Sequence, residues 1–389
     1  MSTLKVDAIR HNSATSDAIT THSDGTASAK IIDVGGAQLS NRNVIINGDA
    51  KIAQRATAQG SITSGGYYAV DRWYVTMDTA GTWTMYQDSD VPSGYGFSKS
   101  VSLDVNTANT SLSAGSRAML SYRLEGQDVQ RFCKGTANAK KYAVSFWVKC
   151  GKTGTYVLEL FDHDNSRHIC KTYTISSANT WEQKKLIFDN ETSNPFGNDN
   201  GKSFELQFYL AAGSNFTSGT LATSWVSNVS AQRAGGITSF FDSTDRTFFL
   251  TGLQLEVGSQ ATPFEHRSIG DELLLCQRYF QIFKAPNGEF TRFGLAASLA
   301  SNSVRIPIPH ITEMRSKASF SYVGGNNDYQ MPGSSNGFNI SQVIYESNTS
   351  STRSTCLQNG YVSVTTYNCY QFSANGQSNN AALLFDAEL

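Results

Sequence analysis

The sequence predicts an all-β protein: a jelly-roll sandwich, then one helix, then a smaller C-terminal β-sandwich. Three observations predict it. Apolar side chains alternate in short runs along most of the chain, as in YAVSFWVKC (142–150) and FELQFYLAA (204–212), the period of half-buried strands. Only 16% of residues are charged, and Ser, Thr, Asn and 32 Gly against 7 Pro fill the difference, a composition suited to strands and tight turns. The period changes once, after Ser268, where apolar residues recur at steps of four and three.

The chain has 389 residues, enough for two or three domains. Residues 1–42 form an N-terminal segment with one alternating strand in LKVDAI and two more around the SDG turn of AITTHSDGTASAKII. It holds no aromatic residue up to Ser40, so it cannot build a core alone. It is either disordered or ordered on partner chains, and its regular strand pattern favours the second.

Residues 43–266 carry the jelly roll. Val144, Phe146 and Val148 point to one side of their strand, with Ala143, Ser145 and Trp147 opposite. Phe204, Leu206, Phe208 and Leu210 point inward, and TYVLELF, TWEQKKLIF and RTFFLTGLQLEV continue the series. In the last of these, Phe249, Leu253, Leu255 and Val257 are expected on one face.

The connecting helix is expected over 267–285, with Ser268 as N-cap and Asp271 as its capping-box carboxylate. Ile269, Leu273, Cys276, Phe280 and Phe283 form one seam, and Leu274, Leu275, Tyr279 and Ile282 make a second side apolar. A helix apolar on two sides needs two covers: its own sandwich and either a neighbouring subunit or a second domain. Two heptads are too few for a coiled coil. Residues 286–389 return to strands (FTRFGLAASLA, SVRIPIP, ASFSYVGG, SQVIYES, YVSVTTYNCYQFS, AALLFDAEL), with a Gly- and Asn-rich tip loop at 324–339.

A net charge of -1 excludes the clustered basic footprint of a nucleic-acid or anionic-membrane binder. No apolar run reaches membrane-spanning length, and the N-terminus lacks a signal-peptide core, so no membrane insertion is expected. Six scattered cysteines without a CxxC pair read as thiols of a protein made in a reducing cytosol; Cys356 and Cys369 would pair only on neighbouring strands.

NVIINGDAKIAQR (43–55) followed by YYAVDRWYV (67–75) resembles the opening of a jelly-roll module common in bacteriophage tail proteins, itself similar to carbohydrate-binding jelly rolls. YAVSFWVKC, NTWEQKKLIF and LTGLQLEVGSQATPFEHRSIGDELLLCQRYF resemble its later strands and the helix that follows, and MSTLKVDAI and FDAEL resemble the ends of such phage proteins. The resemblance implies a virion component assembled in the host cytoplasm: a tail fibre of the short-tailed marine phage type. Such fibres are homotrimers, joined to other tail proteins by the N-terminal segment and binding host surface polysaccharide. Ile269, Leu273, Leu274, Cys276, Tyr279, Phe280 and Phe283 would then line the contact between copies.

Sugar binding needs flat aromatic faces beside polar edges. Trp83, Tyr86 and Trp147 in the jelly roll, with Trp181 and Trp225, form one set; Tyr329, Tyr361 and Tyr367, with Tyr370, form a rival set in the C-terminal domain. Each tryptophan has a competing role in a core. Asp162, Asp164 and Asn165 in FDHDNSRHIC are candidate calcium ligands or simply a turn, and Asn47, Gly48 and Asp49 pose the same choice. His163, His168 and Cys170 lack a fourth zinc ligand at sensible spacing. No cofactor is expected otherwise. No GxSxG string and no β-helix repeat occur, so no enzymatic activity is expected; a depolymerase and a purely architectural virion protein are the alternatives to the fibre.

Overall fold

A computed structural model of the chain describes residues 40–285, 290–325, 328–332, 340, 343–346, 350–359, 363–375 and 381–389. Of the first 39 residues it describes Val6, Ala8–Ile9, Ile19–Thr21, Ser23 and Ala27–Ala29. Strands β1 (Ala8–Ile9), β2 (Ile19–Thr21) and β3 (Ala27–Ala29) pair as a small antiparallel meander.

The first sandwich uses β4 (Ala58–Ile62), β5 (Gly66–Tyr67), β6 (Trp73–Asp78), β7 (Thr82–Asp88), β8 (Ser100–Thr107) and β9 (Arg117–Glu125). It continues with β10 (Tyr142–Cys150), β11 (Gly154–Asp162), β12 (Arg167–Ile175), β13 (Glu182–Phe188), β14 (Lys202–Ala212), the one-turn helix α1 (Ser214–Thr217), β15 (Val226–Ser227) and β16 (Thr247–Val257). They form a six-stranded sheet, β13-β10-β16-β8-β7-β4, and a seven-stranded sheet, β15-β12-β11-β14-β9-β6-β5. The inner faces share one apolar core in which Phe146 of β10 meets Phe208 of β14 edge to face at 5.0 Å.

One alternation is corrected. Facing β10, β16 shifts register between the partners of Ser145 and Trp147, and Gly252 sits there at φ +62°. The extra residue turns Phe248 and Leu250 into the core beside Leu253 and Leu255, and sends Phe249 outward. Gly252 is required: a Cβ there would stand 2.5 Å from the Phe97 ring.

Helix α2 spans Ile269–Gln277, and its start is as expected: Asp271 N–H donates to Ser268 Oγ at 3.1 Å. Its end is not. Phe280–Lys284 is a strand, β17, paired with Ala382–Asp386, so Phe280 and Phe283 belong to a sheet and the helical seam stops at Cys276. Pairing with a distant strand has overridden a local helical pattern. The contact assignment is corrected further: Cys276, Tyr279 and Phe280 are buried within the single chain, whereas Ile269 (65% exposed), Leu274 (49%) and Leu275 (37%) face outward; Leu273 is half-buried.

The second sandwich adds β18 (Arg292–Ala300), β19 (Ser303–Pro309), β20 (Ser319–Val323), β21 (Tyr329–Gln330), β22 (Val343–Tyr345), β23 (Ser354–Asn359), β24 (Cys369–Ala374) and β25 (Ala382–Asp386). Sheets β17-β25-β20 and β21-β24-β18-β19-β23-β22 enclose a separate core built around Phe293, Ile306, Leu357, Phe372 and Phe385. All six cysteines are free thiols; Cys356 on β23 and Cys369 on β24 are separated by β18 and β19.

Three arginines of the first sandwich hold residues 386–389 of the second. Arg72 pairs with Glu388 and lies 3.4 Å over the Tyr279 ring. Arg55 reaches Asp386 at 2.9 Å, and Arg123 donates to the Leu389 oxygen at 2.6 Å. Glu125 takes Arg278 through two bonds of 2.8 Å each.

Candidate functional site

A two-sheet sandwich has two outer faces, and here they differ. On the seven-stranded sheet, β9, β11, β12 and β14 turn Ser121, Glu159, His168, Cys170, Gln207 and Tyr209 outward, yet all are buried. Segment 213–241 lies across them and builds a small core from Met119, Val157, Cys170, Tyr209 and Ala234 with Phe216, Leu221 and Ile237. Arg233 pins it down, donating to Glu159 at 2.8 and 2.7 Å and to Gln207 Oε1 at 2.8 Å. Burial pushes the Glu159 carboxyl up, but the Arg233 guanidinium and the His168 bond outweigh it and hold the group below the usual carboxylate range. The rest of this face meets the second sandwich through Tyr67 and Arg123, which both donate to the Leu389 oxygen, while Glu205 holds Arg123 at 3.2 Å.

Glu159, His168 and Cys170 bring three potential metal-ligating atoms within 4.8 Å of one another. They do not fit a metal ion, because both Glu159 oxygens accept from Arg233, whose charge stands where a cation would sit. His163 is elsewhere, bonded to Glu205 at 2.7 Å, so His163, His168 and Cys170 do not converge.

The calcium candidates have partners within the protein, which favours the turn. Asp162 is fully buried and binds the Lys134 ammonium at 2.6 Å, while Asn165 donates to it from Nδ2 at 2.9 Å. Asp164 accepts from Gly197 N–H at 2.8 Å. Both Asp162 oxygens and one Asp164 oxygen are thus bound within the protein, in a turn closed by Asn165 N–H to Asp162 at 3.1 Å. Near the start of the sandwich, Asn47 bonds to Ile52 and Asp71, and Asp49 pairs with Lys51 at 2.6 Å. A Cβ at Gly48 would stand 2.2 Å from the Leu253 oxygen, so this glycine lets the loop press against β16.

The outer face of the six-stranded sheet is different. Register places Tyr86, Ser102, Phe249 and Lys149 in one row across β7, β8, β16 and β10. In the next row Trp147 lies between Thr251 and Gln183. Tyr86, Trp147 and Phe249 are half-buried, with Asp88 and Asp104 beside them. Tyr95, 54% exposed, covers part of Trp147 at a ring distance of 4.3 Å. Trp181 donates from Nε1 to Asp90 at 2.8 Å, and Asp90 pairs with Lys149, whose Nζ stands 4.2 Å over the Phe249 ring. Burial pushes Asp90 up, but the Lys149 and Trp181 bonds together overcome it and lower its pKa. Burial and then Asp88 raise Asp104. Aromatic surface, two carboxylates and an amide thus share one face, the chemistry that meets the apolar and hydroxyl sides of a sugar ring.

Of the candidates read from sequence, Tyr86 and Trp147 come together here. Trp83 does not: it is fully buried, 5.4 Å from Phe241, because alternation along β7 sends Trp83 and Tyr86 to opposite faces. Tyr329 is a core residue of the second sandwich, stacked on Phe372 at 6.0 Å with its hydroxyl donating to Val323 and Ala382 oxygens. Tyr361 lies outside the described residues. Tyr367 is 86% exposed at φ +66°, on a turn fixed by buried Ser298, and is remote from Trp147 in the fold. Sequence reasoning missed Tyr95 and Phe249. Tyr95 had a signal, an aromatic between two glycines in SGYG; Phe249 had none, since the bulge reverses its direction.

A hollow of about 740 Å³ lies between α2 and the second sandwich, lined by Leu274, Leu275, Arg267, Arg278 and Thr312. Its arginines are committed elsewhere, Arg278 to Glu125 and Arg267 to the Ile45 oxygen.

No family model matches the chain, and no curated protein matches it. Among solved structures, the enzymatically active domain of tailspike protein 4 from bacteriophage CBA120 is 14% identical with a TM-score of 0.30, over 55% of this chain and 21% of that one. A putative sugar-binding protein from Bacteroides thetaiotaomicron is 11% identical with a TM-score of 0.31, over 56% of this chain and all 100% of that one. A family 11 carbohydrate-binding module from Clostridium thermocellum, in complex with a mixed-linked tetrasaccharide, is 10% identical with a TM-score of 0.27, over 54% and 99%.

Proposed function

We propose that this chain is a virion attachment protein of the tail-fibre type that holds host-surface polysaccharide on the outer face of its six-stranded sheet. The observation carrying the reading is the cluster of Trp147, Tyr95, Phe249, Trp181 and Tyr86 on an outer face of the first sandwich that the described residues, through Lys99 and residues 262–265, cover only in part. Sugar rings stack on Trp147 and Tyr95, while Asp88, Asp104 and Gln183 accept and donate to hydroxyls. The protein binds without cleaving. Single sites of this shallow kind are weak, and copies joined as a homotrimer raise the effective concentration. The exposed Ile269, Leu274 and Leu275 on α2 support contact between copies, and residues 1–42 join the fibre to the tail.

A screen of the full chain against host polysaccharide fragments tests this. Binding is expected, weakened about tenfold by Trp147→Ala, a loss of about 1.4 kcal/mol. Wild-type chain that retains no glycan, or a Trp147→Ala variant that binds as well as wild type, refutes the assignment. Release of reducing ends from the polysaccharide would convert the binder into a depolymerase.

A further inference from the structure

A sheet edge offers unpaired N–H and C=O groups, and proteins guard such edges by shortness, charge, bulges or cover. Among the described residues, every other edge of the two sandwiches is guarded. β5, β15 and β21 have two residues each and β22 has three. β13 carries Glu182, Lys184 and Lys185. β4 is broken by a register shift between Gln59 and Ile62, with Ser61 at φ +54°. β17 is flanked by Gln54, which donates to the Phe280 oxygen at 2.9 Å, and by Ile311, whose N–H donates to Gln281.

β20 is the exception. Its five residues, SFSYV, contain no charge, no proline and no bulge, and pair in unbroken register with β25. The Tyr329 hydroxyl sits between the two strands, bonded to the Val323 oxygen and to Ala382 of β25, and on the side away from β25 no backbone partner is found along β20 among the described residues. The neighbouring core is also open there. Phe320 and Tyr322 lie opposite the buried Phe385 and Leu383, yet Phe320 is only half-buried, Tyr322 is 37% exposed and Val323 47%.

We propose that β20 is a strand-pairing site for a second copy of this chain, joined antiparallel through the same strand. The sequence is self-complementary in that register. Centred on Ser321, it sets Phe320 against Tyr322 of the partner subunit, and Tyr322 against Phe320 of the partner subunit, the aromatic cross-strand pairing that stabilises sheets. No like charges meet, because the strand has none. The three-stranded sheets would fuse into one continuous sheet and cover the wet aromatic rings of both copies. This twofold contact is separate from α2, so it joins either two single chains or two larger assemblies built through the helix.

The test is the solution mass of the full chain by light scattering, alongside Ser321→Lys and Ser321→Thr. Ser321 is exposed and faces away from the core, so lysine adds charge at the pairing line without entering the core, whereas threonine preserves a good strand residue. The expected result is that Ser321→Lys halves the particle mass and Ser321→Thr leaves it unchanged. Hydrogen exchange on the wild type provides a readout independent of any variant: alternate β20 amides should be protected when the chain is concentrated and lose protection on dilution. A wild-type chain whose mass is not altered by Ser321→Lys, or whose outward β20 amides exchange freely while it is associated, overturns the proposal. So does a wild type that pairs only when a foreign peptide is added.

Discussion

The two outer faces of the first sandwich begin from the same strand pattern, yet one is sealed and the other is left partly open. On the seven-stranded sheet the outward residues are Glu159, His168, Gln207 and Glu205, all buried, and their charges are matched by Arg233 and Arg123. On the six-stranded sheet Thr251, Gln254 and Glu256 are sealed by Lys99 and residues 262–265, but the outward Tyr86, Phe249 and Trp147 stay half-buried, with carboxylates beside them. The first arrangement carries stability, because a buried charge that loses its partner is costly. The second leaves aromatic area in contact with water, which folding alone does not favour and which a ligand can recover. Polarity at outward positions therefore does not identify a binding face; what covers it does.

The largest effect expected from this contrast is on the sealed face. Glu159→Gln keeps the shape but leaves the Arg233 cation buried without its counter-charge, and should cost about 3–5 kcal/mol in denaturant unfolding. Replacing both residues by apolar ones of similar volume should cost less than the single change. A single variant within 1 kcal/mol of wild type would show that segment 213–241 is held by its apolar contacts and not by the ion pair.

Acid provides a second, somewhat smaller test of the same face. Burial pushes Glu205 up, but its bonds to His163 and Arg123 hold it down to about 2, against an ordinary 4.5. The folded carboxylate is thus favoured, so its contribution is fully present above pH 4.5 and is lost as the pH falls toward 2. The difference corresponds to about 3 kcal/mol. Glu205→Gln should flatten the decline in stability between those pH values, measured by urea midpoints at each pH. An unchanged slope would assign acid sensitivity to other carboxylates.

Much of the fold was legible because a period of two needs no distant information. Val144, Phe146, Val148 and Phe204, Leu206, Phe208, Leu210 point where alternation puts them. The same rule, applied to TWTMY, separates Trp83 from Tyr86, residues three apart that cannot share a strand face. What stayed hidden depended on partners far along the chain. The helix ends at Gln277 because residues 280–284 find a strand about a hundred residues later. Phe249 faces outward because of a bulge against β10. Segment 213–241 has little periodicity, so nothing local shows that it seals a sheet or that Glu159 and Arg233 meet beneath it. For the site, the sequence supplied Tyr86 and Trp147 but could not tell an open face from a closed one.

The smallest expected effect lies on the open face and is the sharpest form of the comparison. Tyr86 stands at the end of the aromatic row, opposite Ala58 of the edge strand β4, and its side chain is only partly withdrawn from water. Tyr86→Ser should therefore change unfolding stability by no more than about 2 kcal/mol, since no core ring and no buried ion pair is lost. Glycan affinity should still fall about threefold, roughly 0.7 kcal/mol, because a ring available for stacking is removed. The two readouts separate what a half-buried aromatic does for the fold from what it does for a ligand. A loss of several kcal/mol in stability would place Tyr86 in the working core and move the site toward Trp147 and Tyr95 alone.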